Sequence, residues 1–112
     1  MIIFVDIDET ICSRAELSDW DYSKSFPFPE RIEKINGLYE EGNTIVYWTA
    51  RGTMTGKTWF KVTESQLNEW GCKYHELRMG KPYYDLFIDD RNINSDVFFK
   101  STSSYNRPHT SK

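Results

Sequence analysis

Four apolar residues near the start of the chain are followed at once by two acids. Ile2–Val5 is a short apolar run without alternation, which predicts a parallel strand buried on both faces. Asp6 and Asp8 follow this run with one residue between them. Because ligands of open parallel sheets bind at the carboxyl ends of the strands, we expect both acids to lie at a site.

The segment after this strand has neither helical nor strand periodicity. It covers residues 11–28 and ends between Pro27 and Pro29. An irregular connection of this length is uncommon in a small domain and is usually either functional or disordered. Its aromatic residues, Trp20 and Tyr22 among them, argue against disorder. We therefore expect residues 11–28 to form a flap over the end of the first strand.

A helix, a strand and a second helix are predicted next. Apolar residues recur every three or four positions between Pro29 and Gly42, which predicts an amphipathic helix with a proline start and a glycine C-cap. Thr44–Trp48 is rich in β-branched and aromatic residues, which predicts the second strand, and Thr49 begins the turn after it. The second helix is predicted over about residues 56–70.

Two further strands are predicted in the last third of the chain. Residues 72–77 suit a short third strand, and a turn follows around Lys81. Residues 84–88 predict a fourth strand, which ends directly in Asp89 and Asp90. Strands that alternate with helices favour an α/β fold with a parallel sheet.

Length and charge limit the possible organisation of the protein. The 112 residues are enough for one domain, predicted over residues 1–100 and followed by a polar, loosely ordered tail at residues 101–112. The net charge of −3 gives no general attraction to nucleic acid or anionic membranes. Cys12 and Cys72 have no metal-type spacing and are expected to be free thiols. With no signal peptide or membrane span in the sequence, the expected compartment is the cytoplasm.

Acidic, hydroxyl and basic side chains are predicted to meet where the strands end. Two unit charges about 4 Å apart repel by roughly 4 kcal/mol at an effective dielectric constant of 20, so clustered carboxylates require protons or a cation. Oxygen ligands with open positions favour Mg²⁺ over zinc. The Thr49 hydroxyl and the Lys81 ammonium suit phosphate oxygens, so the set predicts a phosphoryl-transfer site. The four carboxylates of this set are Asp6, Asp8, Asp89 and Asp90.

This ordered set resembles the haloacid dehalogenase superfamily of phosphohydrolases. Asp6-Ile-Asp8-Glu-Thr10 is similar to its first motif, Thr49 to its second, Lys81 to its third and Asp89-Asp90 to its fourth. A narrower resemblance, over residues 48–52 and 84–90, is to small bacterial and phage proteins labelled capsular-polysaccharide-biosynthesis phosphatases. The implied fold is a three-layer α/β/α Rossmann-like core with a mainly parallel sheet, no large cap and a flap after the first strand.

The resemblance implies a phosphomonoester hydrolase that acts on a small phosphorylated metabolite such as a sugar phosphate. Asp6 would be the nucleophile and would form a phospho-aspartate. Asp8 would protonate the leaving oxygen and then activate water. Thr49 and Lys81 would hold the oxygens of the transferring phosphoryl group.

The resemblance also implies a Mg²⁺ cofactor, and the sequence departs from the family pattern in two ways. Mg²⁺ would be held by the Asp6 carboxylate, the Asp8 carbonyl and Asp89, with Asp90 assisting. Glu9 stands where the family more often has glycine. The chain has no room for a large cap domain, so a member of this kind would take a large substrate or borrow a lid from a second copy in a homo-oligomer.

Three residues outside the motifs are candidates for substrate binding. Arg51 follows Thr49 closely and could bind a second anionic group of the substrate, although a surface arginine is the simpler interpretation. Trp20 and Tyr22 lie in a flap with little core to serve, which makes them candidates for substrate contact.

Other functions remain open at this stage. A nucleic-acid 3′-end phosphatase or a protein phosphatase would use similar motifs, but the acidic balance weighs against nucleic acid. A non-catalytic module that binds phosphate and Mg²⁺ would keep the same fold. A signalling receiver domain also uses acids, a threonine and a lysine, but its acidic pair follows the first strand and its phosphorylated aspartate lies mid-chain. Here the acidic pair comes last.

Overall fold

A computed structural model of the chain describes residues 1–14, 21–53, 56 and 58–100. Within these ranges the protein has an α/β fold with one parallel sheet, which confirms the predicted class. The sheet has the strand order β1-β2-β3 and consists of β1 (Ile2–Val5), β2 (Thr44–Trp48) and β3 (Glu76–Arg78). The helices are α1 (Pro29–Glu40), α2 (Phe60–Glu69) and α3 (Ser95–Lys100), and a short 3₁₀ turn covers Tyr22–Lys24.

The register of the sheet brings the carboxyl ends of the strands to one edge. Val5 of β1 lies opposite Tyr47 of β2, and Trp48 of β2 lies opposite Arg78 of β3. The residues that follow β1 and β2, Asp6 and Thr49, therefore leave the sheet at the same edge.

Most of the hydrophobic core lies on one face of this sheet, and Val46 of β2 is buried on the other face. Val5, Ile45 and Tyr47 point to that face because alternate residues of a strand share a side. Helix α1 begins at Pro29, as the sequence predicts, and proline is favoured at the first helical position. The helices contribute Ile32, Ile35 and Leu38 from α1, Leu67 from α2 and Phe98 from α3.

The predicted bounds of the second helix and the third strand differ from the structure. α2 begins at Phe60 rather than near residue 56. The third strand lies at Glu76–Arg78 rather than at residues 72–77. The reason is local: the Nδ1 atom of His75 accepts a hydrogen bond from the main-chain N–H of Ile45, so a side chain replaces a main-chain partner before β3 begins. Helix α3 had no clear signal in the sequence.

The prediction of a fourth strand at residues 84–88 is wrong for the described chain. This segment joins no sheet, and its side chains Leu86 and Ile88 are 75% and 88% exposed. Among the described pairings β1 binds only β2, and Ile2 is 72% exposed. The apolar pattern indicates a tendency to form a strand but does not provide the neighbour to which the strand must bind. The described sheet therefore has three strands, with β1 at its edge.

The described parts of the flap begin and end together. The N–H of Ser13 donates to the carbonyl of Phe26 across 2.9 Å, and the N–H of Phe28 donates to the carbonyl of Ile11 across 2.8 Å. Residues 15–20 of the flap and the predicted tail at 101–112 lie outside the described residues. None of the helices in the described ranges has the length and apolar character needed to cross a membrane.

Candidate functional site

The tight turn after β1 presents two acids. The carbonyl of Ile7 accepts hydrogen bonds from the N–H groups of Thr10 and Ile11, at 3.1 and 2.9 Å. Glu9 adopts a φ of +64°, in the left-handed region that favours glycine. Because of this turn the chain reverses directly after the strand, and the side chains of Asp6 and Asp8 keep 39% and 21% of their surface exposed.

Asp6 is paired with the predicted lysine. The Nζ atom of Lys81 lies 3.4 Å from Asp6 Oδ1, and the Lys81 side chain is only 15% exposed. Burial raises the pKa of the Asp6 carboxyl above its ordinary value, and the Lys81 ammonium opposes this shift. The pair therefore couples a partly exposed carboxylate to a fixed positive charge.

Thr49 connects this pair to the end of β2. Its carbonyl accepts a hydrogen bond from the N–H of Lys81 across 3.0 Å, so the Lys81 turn is held against the sheet edge. The Thr49 side chain is buried, and its Oγ1 accepts the N–H of Arg51 across 3.1 Å. The structure thus brings together Asp6, Asp8, Thr49 and Lys81, four of the residues predicted from the sequence.

Asp8 forms a bidentate ion pair with Arg51. Nε of Arg51 lies 3.0 Å from Asp8 Oδ2, and Nη2 lies 2.8 Å from Asp8 Oδ1. The thiol of Cys12 lies 3.5 Å from the same Oδ1. Burial and the Asp8 carboxylate raise the pKa of Cys12, so this thiol stays neutral and can donate its proton.

The guanidinium of Arg51 is completely enclosed. Its side chain has no exposed surface, in contrast to a surface arginine or one that is open to a substrate. Nη1 donates to Thr63 Oγ1 at 3.1 Å and to Gln66 Oε1 at 2.5 Å, and Nη2 also reaches the Cys12 sulfur at 3.7 Å. With the two bonds to Asp8, all five N–H groups of the guanidinium have an acceptor.

The two acids predicted after the fourth strand do not join this cluster. Asp89 and Asp90 are exposed, and the carbonyl of Asp89 accepts a hydrogen bond from the nearby Asn92 amide. Within the described ranges, no group of three or more acidic, cysteine or histidine side chains could hold a metal ion. As arranged, the residues do not fit the predicted Mg²⁺ site.

The chain was compared with known proteins. No protein-family model matches it, and no curated protein matches it either. Its structure is similar to the crystal structure of an MCSG target from Vibrio cholerae, with a TM-score of 0.77 and 24% sequence identity. The match covers 90% of this chain and 89% of that one. This likeness shows the fold alone.

The aromatic candidates of the flap have different outcomes. Trp20 lies outside the described residues. The ring of Tyr22 lies over the Arg51 guanidinium, with 4.8 Å between the ring centroid and Cζ. The same ring meets Trp59 edge to face, with 5.1 Å between the centroids. Tyr22 therefore contacts the buried cation of the site.

An open groove lies beside the Lys81 turn. It has a volume of about 220 Å³, and its lining includes Trp59, Phe60 and Met79 with the hydroxyl-bearing Thr53 and Thr58. The hydroxyl of Thr53 donates to the carbonyl of Lys81 across 2.9 Å. Thr53 thus connects the lining of the groove to the turn that contains Lys81.

Two polar residues of α2 were missed as members of the site. Thr63 and Gln66 are buried and lie three residues apart on one side of the helix. The available signal was that they occupy positions on the same side as Leu67, where an apolar residue is the ordinary choice. A buried polar pair of this kind requires a partner, and Arg51 supplies it.

Proposed function

We propose that the protein is a phosphomonoester hydrolase that acts through a phospho-aspartate on Asp6. The observation that carries the proposal is the pairing of the partly exposed Asp6 carboxylate with the Lys81 ammonium at 3.4 Å. A carboxylate at the carboxyl edge of a parallel sheet is accessible to a ligand, and a fixed cation beside it can stabilise the charge of a transferring phosphoryl group.

The reaction proceeds in two displacements. An oxygen of Asp6 attacks phosphorus, the bond between phosphorus and the ester oxygen breaks, and the leaving oxygen takes a proton as the alcohol departs. Water then attacks the phospho-aspartate, which releases inorganic phosphate and restores the carboxylate. In this proposal Asp8 donates a proton to the leaving oxygen in the first step and accepts a proton from the attacking water in the second. Lys81 and the turn at Thr49 stabilise the phosphoryl oxygens.

The groove beside Lys81 supports a small substrate. Its lining includes the aromatic residues Trp59 and Phe60. Thr53 and Thr58 add hydroxyl groups to its lining. A sugar ring combines apolar faces with hydroxyl groups, so a sugar phosphate could place its phosphate at Asp6 and its ring in the groove.

Mg²⁺ dependence belongs to the same proposal, although no step is assigned to the metal. Asp89 and Asp90 would have to approach Asp6 before the acids could share a cation.

The experiment is hydrolysis of an aryl phosphate and of a panel of sugar phosphates, with Mg²⁺ and with a chelator. We expect turnover in Mg²⁺, and its loss in Asp6→Asn. Asp96→Asn makes the same chemical change at an exposed aspartate of α3 and serves as the control. Full activity of Asp6→Asn would refute the assignment of Asp6 as the nucleophile.

The same panel tests the other functions. Binding of phosphate without turnover of any substrate would favour a non-catalytic module. Phosphopeptides and 3′-phosphorylated oligonucleotides in the same panel test the other phosphatase classes.

A further inference from the structure

We infer that Arg51 is a positioning residue that fixes the orientation of Asp8 and links it to the 3₁₀ turn at Tyr22–Lys24. This inference rests on the proposed function for its catalytic consequence. Its structural part stands on contacts that join three segments distant in sequence. Arg51 follows β2, Asp8 follows β1, and the acceptors Thr63 and Gln66 belong to α2.

The paired donors leave Arg51 no free hydrogen-bonding group for a substrate. All five N–H groups are directed at protein acceptors, and the side chain has no exposed surface. A bidentate pair fixes the plane of a carboxylate as well as its distance, because two parallel hydrogen bonds must be kept at once. Arg51 therefore sets the rotation of the Asp8 carboxylate, and the Asp8 side chain remains 21% exposed.

The 3₁₀ turn is attached to the same guanidinium through two contacts. Gln66 accepts from Arg51 with Oε1 and donates through Nε2 to the carbonyl of Tyr22 across 2.7 Å. The Tyr22 ring covers the guanidinium from another side. Trp59, which lines the groove, touches the Tyr22 ring. A displacement of the turn would therefore reach Asp8 through Gln66 and Arg51. The groove borders these contacts at Trp59.

A purely structural role for the ion pair predicts a different result. A buried arginine that only stabilises the fold would lower the unfolding temperature when replaced, without a specific effect on the chemical step. A substrate-binding arginine would raise KM when replaced. A positioning residue that acts through Asp8 lowers kcat, leaves KM nearly unchanged, and has no further effect once the Asp8 carboxylate is absent.

The test uses Arg51→Lys, which keeps the charge and removes the planar fork. Arg78→Lys makes the same change at an exposed arginine and is the matched control. Thr63→Val leaves one guanidinium N–H without its acceptor and is the milder variant if Arg51→Lys does not fold. With an aryl phosphate in Mg²⁺, we expect kcat of Arg51→Lys to fall about 10- to 100-fold with KM within about twofold, and Thr63→Val to show a smaller fall of the same kind.

A double-mutant cycle with Asp8→Asn decides between the roles. Equal kcat values for Asp8→Asn and for Asp8→Asn combined with Arg51→Lys support positioning through Asp8. Multiplicative losses, or a rise in KM alone, overturn it.

Amide hydrogen exchange separates this inference from the proposed function. We expect faster exchange at Ser23, Lys24 and Ser25 in Arg51→Lys and in Thr63→Val than in the wild-type protein and in Arg78→Lys. If the wild-type protein hydrolyses no phosphomonoester, the proposed function fails and exchange alone decides the link between Arg51 and the turn. Unchanged exchange in both variants overturns that link.

Discussion

The Nζ atom of Lys81 lies 3.4 Å from Oδ1 of Asp6, although 75 positions separate the two residues in the sequence. The contact is maintained by the main chain, because the N–H of Lys81 donates to the carbonyl of Thr49 at the end of β2. Asp6 follows the neighbouring strand β1. The sheet therefore sets the distance between the nucleophile and its cation in the proposed reaction.

Replacement of Lys81 by methionine should impair the proposed hydrolysis strongly. The variant keeps much of the side-chain volume and removes the charge that stabilises the transferring phosphoryl group. We expect kcat/KM for an aryl phosphate to fall about 10²- to 10³-fold, the range found when one such stabilising donor is lost. Lys73→Met, which removes an exposed lysine paired with Glu40, is the control and should retain activity. Equal activities of the two variants would contradict the role of Lys81.

Asp6→Asn should be more stable than the wild-type protein at neutral pH. The pKa of Asp6 is raised in the folded state, mainly by burial, so the ionised carboxylate opposes folding above that pKa. Below the ordinary value of 3.8 the carboxyl is protonated in both states and the cost disappears. Urea unfolding of both proteins in chelator, from neutral pH downward, should show an advantage of the variant that shrinks as the pH falls. An advantage that grows toward low pH would contradict the shift.

Replacement of Glu9 by glycine should leave the protein more stable than replacement by alanine. Its φ of +64° lies in the region that L-residues occupy at a cost of about 1 kcal/mol, whereas glycine enters it freely. Both variants lose the ion pair with Arg14, so their difference isolates the backbone. We expect Glu9→Gly to be more stable than Glu9→Ala by about 1 kcal/mol in urea unfolding, the reverse of the order in a helix. A Glu9→Ala variant more stable than Glu9→Gly would contradict the turn geometry.

Two leucine substitutions test where the core ends. Leu67 is fully buried and Leu86 is 75% exposed. In chelator, Leu67→Ala should lower the free energy of unfolding by about 2–5 kcal/mol, because it leaves a cavity. Leu86→Ala should change it by less than about 0.5 kcal/mol, as surface substitutions do. A large loss for Leu86→Ala would contradict the exposure of this side chain.

Local patterns in the sequence predicted the elements that have local causes. β2 was predicted with the bounds it has, because five consecutive β-branched and aromatic residues allow little else. The start of α1 followed from Pro29 and the spacing of its apolar residues. Residues 84–88 carry a similar strand pattern, but a strand also needs a neighbour, and no local pattern supplies one.

The site was predictable in part for the same reason. Asp6, Thr49 and Lys81 could be found because each adjoins a predicted strand or turn. The burial of Arg51 could not be read from its neighbours in the sequence, since it depends on Asp8 and on the polar residues of α2. The left-handed φ of Glu9 was not predictable either, because glutamate is not a residue type that favours this region.

Trapping of the covalent intermediate tests the central claim most directly. Borohydride added during turnover of an aryl phosphate in Mg²⁺ reduces an acyl phosphate, so an aspartate that carries the phosphoryl group is converted to homoserine. Peptide mass spectrometry should then find homoserine at position 6 of the wild-type protein, and none there when substrate is omitted. Turnover without homoserine at position 6, or with homoserine at another aspartate, would contradict the account.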